Sequence, residues 1–178
     1  MHEAILAFAR KHKGKFDGQI LEVGSYDVNG TIRSVIPVSC GVDMESGPGV
    51  DRVCNVVDLI NTFGAGVWDH VVSCDALEHM EDWESALTNM WGVLKHGGLF
   101  LLTIANMKKG YHGYPHDYWR WEIDDFKRIF HNNDVLDWFL GGPSQGVLVR
   151  KSAALDLTIK PRAVDGNSKL RRPKDGNQ

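Results

Sequence analysis

Ile20-Leu21-Glu22-Val23-Gly24-Ser25-Tyr26-Asp27-Val28-Asn29-Gly30 sets the reading of the whole chain. A short apolar run carries one acid into a glycine, and a polar turn then leads toward a helix-like segment. A buried parallel strand that opens a ligand site at its C-terminal end has this form. Taken alone the stretch is a weak signal. Gly41-Val42-Asp43 and Val71-Val72-Ser73-Cys74-Asp75-Ala76-Leu77-Glu78-His79 make it much stronger.

Outward from this centre the chain alternates strands and helices. Residues 2–12 carry Ile5, Leu6, Phe8 and Ala9 among charges and read as an amphipathic helix, stopped by Gly14. Strands are expected at 19–23, 38–44, 51–57, 68–74 and 99–104, with a short helix over 29–36 before Pro37 and a single helical turn within 58–66. Trp83, Leu87, Met90, Trp91 and Leu94 recur at spacings of three and four, which predicts a helix over 83–95 with its core face on that stripe. His96-Gly97-Gly98 suits a left-handed cap at its end. A further helix is expected over 122–130. Strands at 134–140 and 146–150, joined through Gly141-Gly142-Pro143, must be antiparallel neighbours. Alternation of this kind implies a mostly parallel α/β sheet of seven strands, with helices on both faces and a C-terminal antiparallel hairpin. Residues 1–159 are expected to form one domain, and 160–178, basic and nearly free of apolar side chains, a disordered tail.

The chain has 178 residues, enough for one domain with a substantial core. Its net charge of −3 supplies no argument for a nucleic-acid or membrane partner. No run of about 18 apolar residues occurs, so no membrane span is expected. Cys40, Cys54 and Cys74 are odd in number and widely spaced, which fits core thiols in a reducing, cytoplasmic setting better than disulfides or zinc.

Five stretches in this order carry a family resemblance: Leu21-Glu22-Val23-Gly24, Gly41-Val42-Asp43, Cys54-Asn55-Val56-Val57-Asp58-Leu59, Cys74-Asp75-Ala76-Leu77-Glu78-His79 and Leu94-Lys95-His96-Gly97-Gly98. Together, across residues 18–152, they resemble the class I S-adenosylmethionine-dependent methyltransferases with a Rossmann-like fold. The resemblance implies methyl transfer from S-adenosylmethionine, with S-adenosylhomocysteine as product.

Residue chemistry agrees with that cofactor. Gly24 is expected where backbone approaches ligand and a Cβ would obstruct it. Glu22 suits the cofactor's ammonium, or else is a structural acid accepting loop N–H bonds. Asp43 can accept both ribose hydroxyls, and Met44 can pack on adenine. The resemblance implies that Asn55 meets the adenine amino group and that the Val56 backbone meets the ring; Asn keeps the acceptor that an Asp would offer. The usual G-x-G-x-G is Gly24-Ser25-Tyr26-Asp27-Val28 here, so Ser25, Tyr26 and Asn29 are expected to complete the loop. That loss of glycines argues against a pyrophosphate-gripping dinucleotide loop. Cys74 and Asp75 are expected beside the transferable methyl group, and His79 there is a general base or a loop-holding hydrogen-bonding group.

A second dense patch, Tyr111 to Trp121, follows the fifth strand. It is expected to bind the acceptor through His112, Tyr114, His116, Tyr118 and Arg120, the last offering a planar fork to a carboxylate or phosphate. Trp119 and Trp121 are expected to be mostly structural. Catalytic candidates are His79, His116 and Asp117. The Tyr-Pro-x-Asp-Tyr-Trp-Arg segment is similar to one in methyltransferases associated with bacterial glycan gene products. His112, His116 and Asp117 lack matching third and fourth ligands, so no metal site is expected. The expected partner is a small-molecule acceptor, and the expected chemistry is most simply O-methylation of a sugar or glycan precursor or a small acid, by a monomer or homodimer. Nucleic-acid methylation, which the basic tail permits, stays open, although Ser73-Cys74-Asp75-Ala76 is unlike the base-amino motif. A non-catalytic binding module also stays open.

Overall fold

A computed structural model of the chain describes residues 2–113, 116–164 and 170–171. The apolar strands assemble into a seven-stranded sheet in the order β3-β2-β1-β4-β5-β8-β7. Its members are β1 (Ile20–Val23), β2 (Cys40–Asp43), β3 (Arg52–Val53), β4 (Trp68–Cys74), β5 (Leu94–Ala105), β7 (Asp134–Gly141) and β8 (Ser144–Arg150). β1 runs parallel to both neighbours, with Leu21 opposite Cys40 on one side and Val71 on the other. β8 alone runs against the rest, pairing with β5 from Leu99–Arg150 to Ala105–Ser144. Strand order reverses between β1 and β4, which opens a crevice beyond their C-terminal ends.

The period of two along each strand divides the core. Ile20, Val72, Leu99, Leu101 and Leu148 face α1 (Glu3–His12), which buries Ile5, Phe8 and Ala9 against them. Leu21, Val23, Val71, Phe100, Leu102 and Val149 face the opposite way, onto α3 (Trp83–Val93) and α4 (Ile123–Ile129). Fully burying one such side chain stabilises by about 1.5–3 kcal/mol, so the sheet is held from both sides. A short α2 (Leu59–Phe63) packs beside α3. Among the described residues, no helix is long and apolar enough to cross a membrane.

Several expected boundaries move, each for a local reason. The third strand is only two residues, because the Asn55 side-chain oxygen accepts the Val57 N–H at 3.3 Å and caps a 3-10 turn. The helix expected over 29–36 is a single 3-10 turn, Ile32–Ser34, capped by Thr31. Helix α3 ends at Val93, and the chain passes directly into β5, which begins at Leu94 rather than Leu99. No glycine cap closes the helix. Lys151 donates to the carbonyls of Trp91 and Leu94 instead, the latter at 2.7 Å, satisfying oxygens that the last helical turn leaves free. Beyond 160, where a disordered tail is expected, β9 (Arg162–Val164) pairs with β6 (Trp119–Arg120) and with β10 (Leu170–Arg171) in a small antiparallel sheet. The rest of that expected tail lies outside the described residues.

Candidate active site

At the tip of β1, Gly24 has φ +78°, the left-handed region that glycine adopts freely. The N–H groups of Gly24 and Ser25 both donate to the Val42 carbonyl, at 3.0 and 3.1 Å, and tie the turn to β2. A Cβ on Gly24 would meet the Ala76 methyl at 2.4 Å. Gly24 is therefore required by its φ and by the β4 turn packed on it, and it also lines the cleft where close approach to ligand is expected. Tyr26 and Val28 stand where glycines are usual. The Tyr26 ring lies over Gly47, where any Cβ would be 2.1 Å from it, so the bulk is absorbed by the neighbouring turn.

The expected cofactor residues converge. Glu22, Gly24, Ser25, Tyr26, Asn29, Asp43, Met44, Asn55, Val56, Cys74 and Asp75 all line one cleft of about 910 Å³ at the β1–β4 switch point. His79, His112, His116 and Tyr118 line the same cleft. Asp43 accepts the Tyr26 N–H at 3.2 Å and the Glu45 N–H at 3.3 Å, so its carboxylate is aimed by two backbone bonds and keeps lone pairs for a ligand. Ser25 Oγ is buried and makes no hydrogen bond among the described residues.

Glu22 combines the two expected readings. Its carboxylate lines the cleft, yet Oε2 accepts from Arg33 Nε at 3.1 Å. Arg33 also reaches Asp51 at 2.6 Å. Burial pushes the Glu22 carboxyl up to about 7, and Arg33 offsets only part of that cost. Arg33 carried no signal in the sequence, being one of many surface-type cations.

The end of β4 is strained. Asp75 has φ +48°, the one non-glycine residue with positive φ among those described. Its carboxylate turns away from the turn, accepting from the Thr103 hydroxyl and the Ser144 hydroxyl, both at 3.1 Å. The 3-10 turn Leu77–His79 follows. His79 Nδ1 bonds the His116 carbonyl, so in the neutral ring Nε2 carries the lone pair. Burial holds the His79 imidazolium below its ordinary range.

Two expected site residues are sequestered. Arg120 and Asp117 have fully buried side chains and form a bidentate ion pair. Arg120 also donates to the carbonyls of Lys109, Trp119 and Gly110, so its fork is used up inside the protein. Burial works against the Asp117 charge, but Arg120 and His112 outweigh it and hold the carboxyl well below the usual range. Neither residue reaches the cleft. Arg120 is the clasp of the 106–118 loop rather than an acceptor-binding fork, and Asp117 is not placed as a base. Tyr114 lies outside the described residues. Trp119 Nε1 donates to the Met80 and Glu81 carbonyls, and Trp121 is fully buried, so both are structural as expected. Sequence reasoning passed over two residues here. Lys109 lines the cleft as its cation from the loop, and Glu78 lies buried beneath His112.

Known proteins were compared with this geometry. A family described as a methyltransferase domain matches residues 42–102, from β2 through most of β5. No curated protein matches the sequence. Among solved structures, the Burkholderia thailandensis 1,6-didemethyltoxoflavin-N1-methyltransferase with bound 1,6-didemethyltoxoflavin and S-adenosylhomocysteine superposes with a TM-score of 0.65 at 15% identity, covering 85% of this chain and 78% of that one. A S-adenosylmethionine-dependent methyltransferase from Archaeoglobus fulgidus superposes at 0.61 and 11% identity, covering 84% and 94%. A putative methyltransferase of Haloferax volcanii, in complex with the Trm112 methyltransferase activator, gives 0.60 at 13% identity, covering 85% and 90%. A methyltransferase-domain match laid across β2 to β5, on this strand order and beside this switch-point cleft, gives the chain the Rossmann-like fold seen in S-adenosylmethionine-dependent methyltransferases.

Proposed function

We propose that the chain methylates an oxygen of a small-molecule acceptor, a sugar precursor or a small acid, held between the β4 turn and the 106–118 loop. The residues present fit the cofactor. Asp43 keeps lone pairs for the ribose hydroxyls, and the buried, unpartnered Ser25 hydroxyl lines the cleft. Glu22 has one oxygen outside its Arg33 bond to face the ammonium. Asn55 uses one lone pair of its carbonyl for Val57 and keeps the second for the adenine amino group. Met44, 64% exposed, is a mobile-tipped apolar cover for the ring.

When bound, S-adenosylmethionine supplies a methyl on a sulfonium: the acceptor oxygen bonds to that carbon, the carbon–sulfur pair stays on sulfur, and S-adenosylhomocysteine remains. The chain's task is then alignment at about 3 Å and removal of one proton from a hydroxyl acceptor. The observation that carries this reading is His79. Its Nδ1 is engaged by the His116 carbonyl, which leaves Nε2 as the nitrogen able to take that proton. His116 supports His79 through its carbonyl, and its exposed ring stands at the rim with Tyr118. Lys109, with Arg120 withdrawn, is the loop cation positioned for an anionic group on the acceptor.

A screen of methyl transfer from labelled S-adenosylmethionine to sugars, nucleotide-sugars, small hydroxy acids, amines and nucleic acids tests the proposal. Transfer to hydroxyl acceptors, reduced by roughly 10²-fold or more in His79→Ala, is expected. Transfer only to amines or nucleic acids would reject it.

A further inference from the structure

A carboxyl group beneath the acceptor end of the cleft has one oxygen without a partner among the described residues. Glu78 is completely buried. Its Oε1 accepts the Ala105 N–H at 3.1 Å, while Oε2 has no hydrogen-bond partner among the described residues. Asp75 beside it is bonded only by the two hydroxyls already named and the strand backbone, so among the described residues neither side chain is bonded to a lysine or arginine. Arg120, whose charge acts on Glu78, is already matched by Asp117. A buried carboxyl oxygen without a partner is costly, and a bound cation would complete it.

Two imidazoles meet this carboxylate. His112 Nε2 lies 3.8 Å from Glu78 Oε1, and the His79 and His112 rings stand edge to face with centroids 5.0 Å apart. One donor atom from each of Glu78, His79 and His112 lies within 4.8 Å of the others. Metal–nitrogen and metal–oxygen bonds of about 2.1 Å place ligands roughly 3.0–3.5 Å apart, so the donors need to draw in by at most about 1.8 Å. His79 and His112 are half-buried and flank the open cleft; the His116 carbonyl holds Nδ1 of the first and Asp117 lies 2.9 Å from Nδ1 of the second, so Nε2 is the ligating nitrogen of each.

We propose that Glu78, His79 and His112 bind one divalent transition-metal ion at the acceptor end of the cleft, where it takes a hydroxyl or a vicinal pair of hydroxyls of the acceptor. Two imidazoles and one carboxylate suit zinc, manganese, cobalt or iron(II) and do not suit magnesium or calcium, which prefer all-oxygen sets. Three protein ligands leave coordination positions open toward the cleft, as catalytic sites do. An ion there would draw the acceptor hydroxyl close and make its proton easier to lose, taking over the task otherwise given to the His79 nitrogen. The inference rests on the proposed methyl transfer for its use, and on the three side chains alone for its existence.

The full-length chain, stripped with chelator and dialysed, is titrated with Co²⁺ under an absorption spectrometer and with Zn²⁺ and Mn²⁺ in a calorimeter. One ion per chain with visible Co²⁺ bands is expected. His112→Ala and His79→Asn are each expected to weaken binding at least about tenfold, while His131→Ala, at an exposed histidine elsewhere, leaves it unchanged. Absence of stoichiometric binding, or binding that survives both substitutions, overturns the site. S-Adenosylmethionine binding and methyl transfer are measured on the same samples with and without metal. Intact cofactor binding and hydroxyl methylation without any bound metal would defeat this inference and leave the proposed function standing. A metal bound by a chain that methylates no hydroxyl would do the reverse.

Discussion

Replacing Glu22 by glutamine removes a charge that the fold holds at a cost. The carboxyl is pushed from an ordinary 4.5 up to about 7, first by burial and against the pull of Arg33. That difference of about 2.5 units corresponds to about 3 kcal/mol at roughly 1.4 kcal/mol per unit. The side chain is only 6% exposed, so solvent screening removes little of it. Because the folded pKa lies above the unfolded one, the folded state binds the extra proton between the two values. Stability is therefore fully present below about pH 4.5, falls as pH rises through the window from 4.5 to 7, and is lost by that amount above it. Glu22→Gln keeps the shape and a hydrogen-bond acceptor for Arg33 without the titration. Urea unfolding at pH 5, 6, 7 and 8, followed by tryptophan fluorescence, is expected to show the wild type losing about 3 kcal/mol relative to the variant across this range. Cofactor binding reads the same group with the opposite sign. An ammonium beside Glu22 favours the carboxylate, so wild-type affinity for S-adenosylmethionine is expected to rise with pH up to about 7, and that of the variant to stay flat. Parallel pH slopes for the two proteins, or a variant several kcal/mol less stable at pH 8, would refute the reasoning and make the Arg33–Glu22 pair a net stabiliser.

Other expectations follow from single contacts. Arg120→Ala strands the fully buried Asp117 carboxylate and is expected to cost about 3–5 kcal/mol in urea unfolding, with no rescue by Arg120→Lys, whose ammonium cannot replace the planar fork. Gly24→Ala combines a positive φ with a 2.4 Å approach to Ala76 and is expected to lose about 1–3 kcal/mol, part of it recovered in the Gly24→Ala, Ala76→Gly double variant. Asp43→Ala, at a half-exposed carboxylate, is expected to leave the melting temperature nearly unchanged and to weaken S-adenosylmethionine binding by about 1.5–3 kcal/mol in calorimetry; an unchanged affinity would remove Asp43 from the ribose site.

The expected site residues that line one cleft share a cause. Glu22, Asp43 and Cys74 sit near strand ends and His79 in the turn after β4, and a parallel sheet fixes where strand ends go: register carries β1, β2 and β4 side by side, so their tips meet. What long-range packing decides was not legible. Gly24 lines the cleft, but the neighbour that excludes a Cβ there is Ala76, fifty-two positions on in the chain, brought there by the β1–β4 pairing. The glycine pair at 97–98 looked like a helix cap, but Lys151 from beyond β8 does that work.

The sequence by itself determined the mostly parallel sheet and the strand-end residues that line the cleft, because apolar periodicity and strand-end polarity are local and the parallel topology makes them add. Only the tertiary structure decided the acceptor end. An arginine in a polar aromatic loop reads the same whether it faces solvent or a buried aspartate, and burial alone made Arg120 a clasp. Glu78, next to His79 in sequence, reads the same whether buried or exposed. The tertiary structure set it, with one oxygen unpartnered among the described residues, within 3.8 Å of His112.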